Sequence, residues 1–195
     1  MSEKKHTTII NLYGGPGTGK STSAAYLYYL LKIAGKNAEL VREYVKDWAW
    51  EGRHISVNDQ IYFLGKQVRR ESMLYGKVNW IVTDSPVWMN AYYASHYCTP
   101  IIASGVTSLV KAFYQQVADE GHEHYHIFLK RTKPYLAEGR YQTESEAKDI
   151  DVGVKQMLLD NIGPNNITEV DVGDDGLKSV LRKITGYLPP PPEWL

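Results

Sequence analysis

The chain has 195 residues, and its 22 lysines and arginines balance its 22 aspartates and glutamates. Zero net charge argues against tight, sequence-independent binding to nucleic acid or to an anionic membrane. The single cysteine excludes an internal disulfide and suits a reducing compartment. No apolar run approaches the roughly 20 residues that span a bilayer, and residues 1–6 are too polar for a signal peptide. We therefore expect a cytoplasmic protein without membrane contact.

The first predicted elements are a strand over residues 7–13, a glycine-rich loop and a helix over residues 21–34. The loop, Gly14-Gly15-Pro16-Gly17-Thr18-Gly19-Lys20-Ser21, fits the phosphate-binding pattern GxxxxGK[ST]. Its backbone N–H groups wrap a triphosphate, and the helix N-terminus that follows attracts the same anion. Lys20 is expected to reach the β- and γ-phosphates and the Ser21 hydroxyl to hold Mg²⁺. The predicted ATP-binding residues are Gly14, Gly15, Pro16, Gly17, Thr18, Gly19, Lys20, Ser21 and Thr22.

Two carboxylates follow the next predicted strands. The strand over residues 37–43 ends in Glu43, and ligands of parallel sheets bind beyond the carboxyl ends of the strands. Glu43 is therefore a candidate to take the proton of an attacking hydroxyl, the alternative being a solvated strand-end charge. The strand over residues 78–84 ends in Asp84, which we predict to hold Mg²⁺, although Asp84-Ser85-Pro86 also suits a helix N-cap. Which of the two carboxylates is the base stays open.

The rest of the chain continues the alternation of strands and helices. Helices are predicted over residues 57–75, 87–97, 104–120, 144–161 and 175–187, and strands over residues 125–130 and 166–172. Such alternation predicts an α/β three-layer P-loop NTPase fold with a five-stranded parallel sheet and helices on both faces. We expect one domain over residues 1–188 and an extended proline-rich tail over residues 189–195.

A polar segment over residues 131–142 separates a strand from a helix and carries Arg131 and Arg140. We predict a lid whose two arginines close over the migrating phosphoryl group, the alternative being a solvated basic loop. His122, His124 and His126 alternate and should share one face of the chain, but no carboxylate or cysteine accompanies them. A structural role is therefore expected for the three histidines.

These stretches resemble small P-loop kinases of the nucleoside-kinase type, and the resemblance covers most of the chain. Glu43-Tyr44-Val45-Lys46-Asp47-Trp48 is similar to the Glu-Pro-Val-x-x-Trp of deoxynucleoside kinases, in which the glutamate is the general base, but Tyr44 replaces the proline. Bacterial-type nicotinamide-riboside kinases carry Glu-Tyr-Ala-Arg at this place. Asp84-Ser85-Pro86 stands where the deoxynucleoside kinases have Glu-Arg-Ser. The resemblance implies that Trp48, and Gln60 at the position of a base-reading glutamine, bind substrate together with Glu43.

Residues 139–147, Gly-Arg-Tyr-Gln-Thr-Glu-Ser-Glu-Ala, are similar to a stretch of small kinases encoded by tailed bacteriophages. One branch of those kinases phosphorylates 5-hydroxymethyluracil within DNA, which would place the protein in a phage-infected host. The chain has 15 tyrosines and 5 tryptophans against 3 phenylalanines, and such rings suit half-wet clefts where a base stacks. Trp88, in the aromatic-rich helix over residues 87–97, is accordingly a further candidate for the acceptor site.

The leading hypothesis is an ATP- and Mg²⁺-dependent kinase acting on a hydroxyl of a nucleoside-like acceptor, free or within DNA. The neutral net charge favours the free small molecule, because binding a phosphate backbone recruits several lysines and arginines. A regulatory P-loop NTPase that acts with a protein partner is one alternative, and an inactive nucleotide-binding module is another. A homodimer is compatible with each of them.

Overall fold

The computed structural model describes residues 6–132, 134–136, 138 and 141–187. Over this part of the chain the strands are β1 (Thr8–Tyr13), β2 (Ala38–Val41), β3 (Trp80–Thr83), β4 (Glu123–Lys130) and β5 (Ile167–Asp171). The helices are α1 (Lys20–Ile33), α2 (Val45–Trp50), α3 (Asp59–Ser72), α4 (Val87–Tyr97), α5 (Pro100–Asp119), α6 (Glu144–Asn161) and α7 (Asp174–Thr185), and a 3₁₀ turn, Pro164–Asn166, precedes β5. All the strand pairs are parallel, in the order β2-β3-β1-β4-β5. The predicted five-stranded parallel fold is confirmed.

The central strand β1 is buried along its whole length, because helices cover both faces of the sheet. Successive side chains of a strand point to opposite faces. Ile10 and Leu12 pack with α1 and α7. On the other face, Tyr13 packs with α3, α4, α5 and α6, and Ile9 packs with Val117 of α5. The two helical layers leave the carboxyl edge of the sheet open between them.

The structure departs from the sequence-based elements in several places. Helix α2 was not predicted, since six residues are too few to show a helical period. Helix α5 begins at Pro100, four residues earlier than predicted, because proline at the first helical position loses no helical hydrogen bond. Strand β2 ends at Val41, so Glu43 lies two residues beyond the sheet.

The start of α6 is fixed by a capping box. The Glu146 N–H donates to Thr143 Oγ1 at 3.4 Å, and the Glu146 carboxylate accepts from the Thr143 N–H at 2.7 Å. These two bonds satisfy backbone donors at the end of the helix that would otherwise lack partners. The cap therefore fixes the start of α6 directly after the segment over residues 131–142. Within the described residues no helix is both long and apolar enough to cross a membrane.

Candidate functional site

The glycine-rich loop forms the turn between β1 and α1. Gly14, Gly17 and Gly19 have φ angles of 141°, 82° and 90°, which residues with a side chain rarely adopt. The Thr18 hydroxyl donates to the carbonyl of Gly15 at 3.0 Å and closes the loop on itself. Ser21 and Thr22 are exposed in the first turn of α1, where the helical N–H groups lack intrahelical partners. The loop therefore has the backbone that phosphate binding requires.

Lys20 is folded onto this loop. Its ammonium group donates to the carbonyls of Gly14 at 2.6 Å and Gly15 at 2.9 Å. Burial lowers the pKa of Lys20, while the charges of Glu43, Asp84 and Asp151 raise it and Arg131 lowers it further. A phosphate that entered the loop would offer this ammonium group a charged acceptor in place of neutral carbonyls, which makes a stronger hydrogen bond.

Glu43 and Asp84 meet at the ends of the neighbouring strands β2 and β3. The Glu43 N–H donates to Asp84 Oδ1 at 2.9 Å, and Asp84 is buried with 4% of its surface exposed. Burial has the largest effect on Glu43 and raises its pKa. The charges of Lys20 and Lys46 lower this pKa, and the charge of Asp84 raises it. A carboxylate with a raised pKa accepts a proton more readily, and the role of Glu43 as general base stays a prediction.

The donors available for Mg²⁺ are the Ser21 hydroxyl and the Asp84 carboxylate. Among the described residues no group of three or more His, Cys, Asp and Glu side chains could hold a metal ion. Mg²⁺ commonly binds through one or two carboxylates, water and the phosphates of a substrate, and it prefers oxygen ligands. Ser21 and Asp84 offer oxygen donors of this kind, and their role as magnesium ligands stays a prediction.

A cavity of about 520 Å³ extends from the loop into the space between α3 and α4. It begins at Gly17, Lys20 and Ser21 and passes Glu43. Its far wall is formed by Gln60, Phe63 and Gln67 of α3 and by Met89, Asn90 and Tyr93 of α4. Gln67 is 2% exposed, and its Nε2 has no hydrogen-bond partner among the described residues. Aromatic walls with a buried amide donor suit a planar ring that carries carbonyl groups.

The predicted acceptor residues occupy different places. Gln60 is buried and lines the cavity. Trp48 packs edge-on against Phe63 with ring centroids 4.9 Å apart, so it supports the wall that Phe63 provides and lies outside the lining. Trp88 is 3% exposed and packs in the core, with its ring 5.7 Å from that of Tyr114. The structure thus places Trp88 away from the cavity, because the face of α4 that meets it carries Met89 and Tyr93 instead.

The described part of the predicted lid lies over the loop and the cavity mouth. Arg131 donates from Nε to Asp151 Oδ2 at 2.7 Å and from Nη2 to the Pro16 carbonyl at 2.8 Å. The Tyr141 hydroxyl donates to the carbonyl of Arg53 at 3.0 Å, which joins the lid to the segment between α2 and α3. Arg140 lies outside the described residues, and its role as a phosphate clamp stays a prediction.

Of the two histidines of β4, His126 is buried and His124 is half-buried, and their rings stack with that of Tyr114. Asn11 Nδ2 lies 3.1 Å from His124 Nδ1, and the Tyr13 hydroxyl lies 2.9 Å from His126 Nδ1. Burial lowers the pKa of His124 to about 3 and that of His126 to about 4, so both rings are neutral at pH 7. Their hydrogen bonds fit the structural role expected from the sequence.

Tyr93 lines the cavity and is one of the aromatic residues of the helix over residues 87–97 that the sequence proposed for the acceptor site. Gln67, Asn90 and Asp151 are among the site residues that were not singled out from the sequence. Gln67 shares a helical face with Gln60 and Phe63 at spacings of seven and four residues, a pattern that could have revealed it. Asn90 and Asp151 gave no such signal. Which side of each helix meets the loop is decided by packing against the sheet.

The parallel sheet, the glycine-rich loop after its central strand and the carboxylates at adjoining strand ends define a P-loop nucleotide-binding protein. A model of the AAA domain family matches residues 9–172, and the chain belongs to that family. A comparison with curated proteins finds no match.

Solved structures of the NadR protein share the fold. One, in complex with NAD and AMP-PNP, has a TM-score of 0.69 and 16% identity over 93% of this chain and 50% of that chain. Another, in complex with NR, has a TM-score of 0.69 and 16% identity over 95% of this chain and 54% of that chain. The chain therefore spans about half the length of these proteins, and the likeness is one of fold.

Proposed function

We propose that the protein is an ATP-dependent phosphotransferase that moves the γ-phosphate to a hydroxyl of a nucleoside-like acceptor. The observation that carries this proposal is the continuous cavity, in which the glycine-rich loop lies at one end, a chamber between α3 and α4 at the other, and Glu43 at the junction. A volume of about 520 Å³ is in the range of small-molecule sites. An enzyme that only hydrolyses ATP needs room for one water molecule beside the γ-phosphate and has no use for such a chamber.

The roles of the chain's own residues follow from their positions. Glu43 accepts the proton of the acceptor hydroxyl, whose oxygen forms a bond to the γ-phosphorus. The bond from that phosphorus to the bridging oxygen breaks, and ADP leaves with the electron pair. Lys20 and the loop N–H groups stabilise the charge that develops on the phosphates. Ser21 and Asp84 would hold Mg²⁺, which would supply positive charge to the phosphates of the nucleotide.

The NadR protein, which shares the fold over about half of its length, was solved in complex with NAD and AMP-PNP and in complex with NR, and these ligands are compatible with a nucleoside-like acceptor. Transfer of radiolabelled γ-phosphate from ATP to a panel of free nucleosides, nucleotides and 5-hydroxymethyluracil-containing DNA tests the proposal. Label in one class of acceptor identifies it. Hydrolysis of ATP without any labelled acceptor would refute phosphotransfer. Hydrolysis that only a protein partner stimulates would instead favour a regulatory NTPase.

A base within DNA, such as 5-hydroxymethyluracil in phage DNA, is the second candidate acceptor. It is favoured by a cationic aromatic surface beside the cavity mouth, where the Lys66 ammonium lies 5.2 Å from the Tyr62 ring and the Arg70 guanidinium 4.8 Å from the Tyr44 ring. Aromatic rings and cations together bind single-stranded nucleic acid, and a base in a duplex would have to be flipped out. The test is the dependence of DNA binding on salt, which is steep for a polynucleotide acceptor and flat otherwise.

A further inference from the structure

The outer side of the glycine-rich loop is pressed against α6. A Cβ atom added to Gly15 would lie 2.5 Å from the carbonyl oxygen of Ala147 and 2.7 Å from Asp151 Oδ1. Real Cβ atoms do not approach other atoms so closely, so the α6 backbone leaves no room for a side chain at this position. The loop is therefore supported by α6, a helix that begins only at Glu144.

Asp151 and Arg131 connect the loop to this helix through a continuous set of hydrogen bonds. Asp151 Oδ1 accepts from the Gly15 N–H at 2.6 Å, and Oδ2 accepts from Arg131 Nε at 2.7 Å. Arg131 Nη2 donates to the carbonyls of Pro16 at 2.8 Å and Ala147 at 3.2 Å. The two charged side chains are only 12% and 17% exposed, so removing either one leaves the other buried without its partner.

These bonds act on the peptide groups that Lys20 uses. Asp151 fixes the Gly15 N–H, and the carbonyl of the same peptide group, that of Gly14, accepts from the Lys20 ammonium at 2.6 Å. Arg131 fixes another carbonyl of the loop, that of Pro16. The orientation of the loop backbone thus depends on two side chains, Asp151 of α6 and Arg131 of the segment after β4.

We propose that Arg131 and Asp151 are positioning residues that hold the glycine-rich loop in its nucleotide-binding conformation. This role differs from that of a clamp on the migrating phosphoryl group, because Nε and Nη2 of Arg131 are already committed to Asp151, Pro16 and Ala147. The remaining nitrogen, Nη1, is buried without a hydrogen-bond partner among the described residues, and it lies 3.2 Å from the place that a Cβ of Gly17 would take. Contact between Nη1 and the γ-phosphate is the rival role.

The two roles are separated by calorimetric titration of the full chain with Mg·ATP and Mg·ADP. Arg131→Ala and Asp151→Ala should each weaken the binding of both nucleotides by about 10- to 100-fold, the loss expected when hydrogen bonds to charged groups are removed. The double variant should bind no more weakly than either single variant, because the pair acts as one unit. Asp149→Asn, which removes an exposed carboxylate from the same helix, is the matched control and should bind both nucleotides like the unaltered chain.

A phosphate clamp predicts a different pattern. Arg131→Ala would then weaken ATP but leave ADP unaffected, and Asp151→Ala would bind both normally; either result overturns the proposal. If the alanine variants fail to fold, Asp151→Asn and Arg131→Lys replace them. Asp151→Asn keeps an oxygen for the Gly15 N–H, and Arg131→Lys keeps the positive charge but cannot donate to two partners at once. Weaker binding of ADP by both variants supports the positioning role. Normal binding of ADP by both variants refutes it. Because no acceptor is involved, the result is independent of the phosphotransferase activity proposed above.

Discussion

Glu71 on α3 should make the stability of this protein fall between about pH 4.5 and pH 7. Its side chain is 0% exposed, the Tyr75 hydroxyl donates to Oε1, and Oε2 has no hydrogen-bond partner among the described residues. Burial raises its pKa from 4.5 to about 7, the Tyr75 hydrogen bond opposing the rise. Because the folded state then binds the proton more tightly than the unfolded chain, the contribution of Glu71 is fully favourable below pH 4.5 and is lost as the pH rises to about 7.

A rise of the pKa from 4.5 to about 7 corresponds to about 3 kcal/mol in the free energy of unfolding. Glu71→Gln keeps an oxygen for the Tyr75 hydroxyl and cannot ionise. The variant should therefore be more stable than the unaltered chain by about 2 to 3 kcal/mol at pH 8. At pH 4.5 the two proteins should be nearly equal in stability, since the glutamate is then protonated in the folded state.

Urea denaturation followed by tryptophan fluorescence at pH 4.5, 6 and 8 measures these free energies. His124 and His126 also titrate, and their lowered pKa values make the folded state lose stability as the pH falls below 6.5. The quantity to compare is therefore the difference between variant and unaltered chain at each pH, in which the histidine contribution cancels. Asp149→Asn is the control for removal of an exposed carboxylate. An equal difference at pH 4.5 and pH 8, or a less stable variant at pH 8, would contradict the buried, raised-pKa carboxyl.

Three predictions concern the candidate site. Lys20→Ala should weaken ATP binding by about 10- to 100-fold in calorimetry, because it removes a charged hydrogen bond to phosphate. It should not lower the unfolding temperature, because it also removes a buried ammonium group whose desolvation costs stability. Unchanged affinity for ATP would argue against the loop as the nucleotide site. Glu43→Gln should lower kcat by about 100- to 10,000-fold at constant KM for ATP, as measured by steady-state kinetics, if the carboxylate is the general base; a small effect would move that role to Asp84. Tyr93→Ala should raise the KM for the acceptor by about 5- to 150-fold through loss of stacking and leave the KM for ATP unaltered; an equal rise in both would show a general disturbance of the cavity.

Local patterns in the sequence predicted the parts of the protein whose geometry depends on neighbours in the chain. The loop over residues 14–21 is recognisable because only glycine tolerates the φ angles of Gly14, Gly17 and Gly19. The alternation of apolar strands and helices predicted the parallel sheet. The sequence also predicted that Glu43 and Asp84 lie close together, since parallel strands end at the same edge of a sheet.

The direction in which each helix faces was decided only by the tertiary structure. Trp88 and Met89 are adjacent in α4, yet the first is in the core and the second lines the cavity, because neighbouring helical residues point about 100° apart. The composition of the segment over residues 131–142 predicted that Arg131 contacts a phosphate. Its hydrogen-bond partners in the structure are the carbonyl of Pro16 and two residues of α6. Gly15 and Asp151 are 136 positions apart in the chain, and no local pattern encodes their contact. Such a contact exists because packing of the apolar faces of sheet and helix fixes which polar side chains meet at the loop.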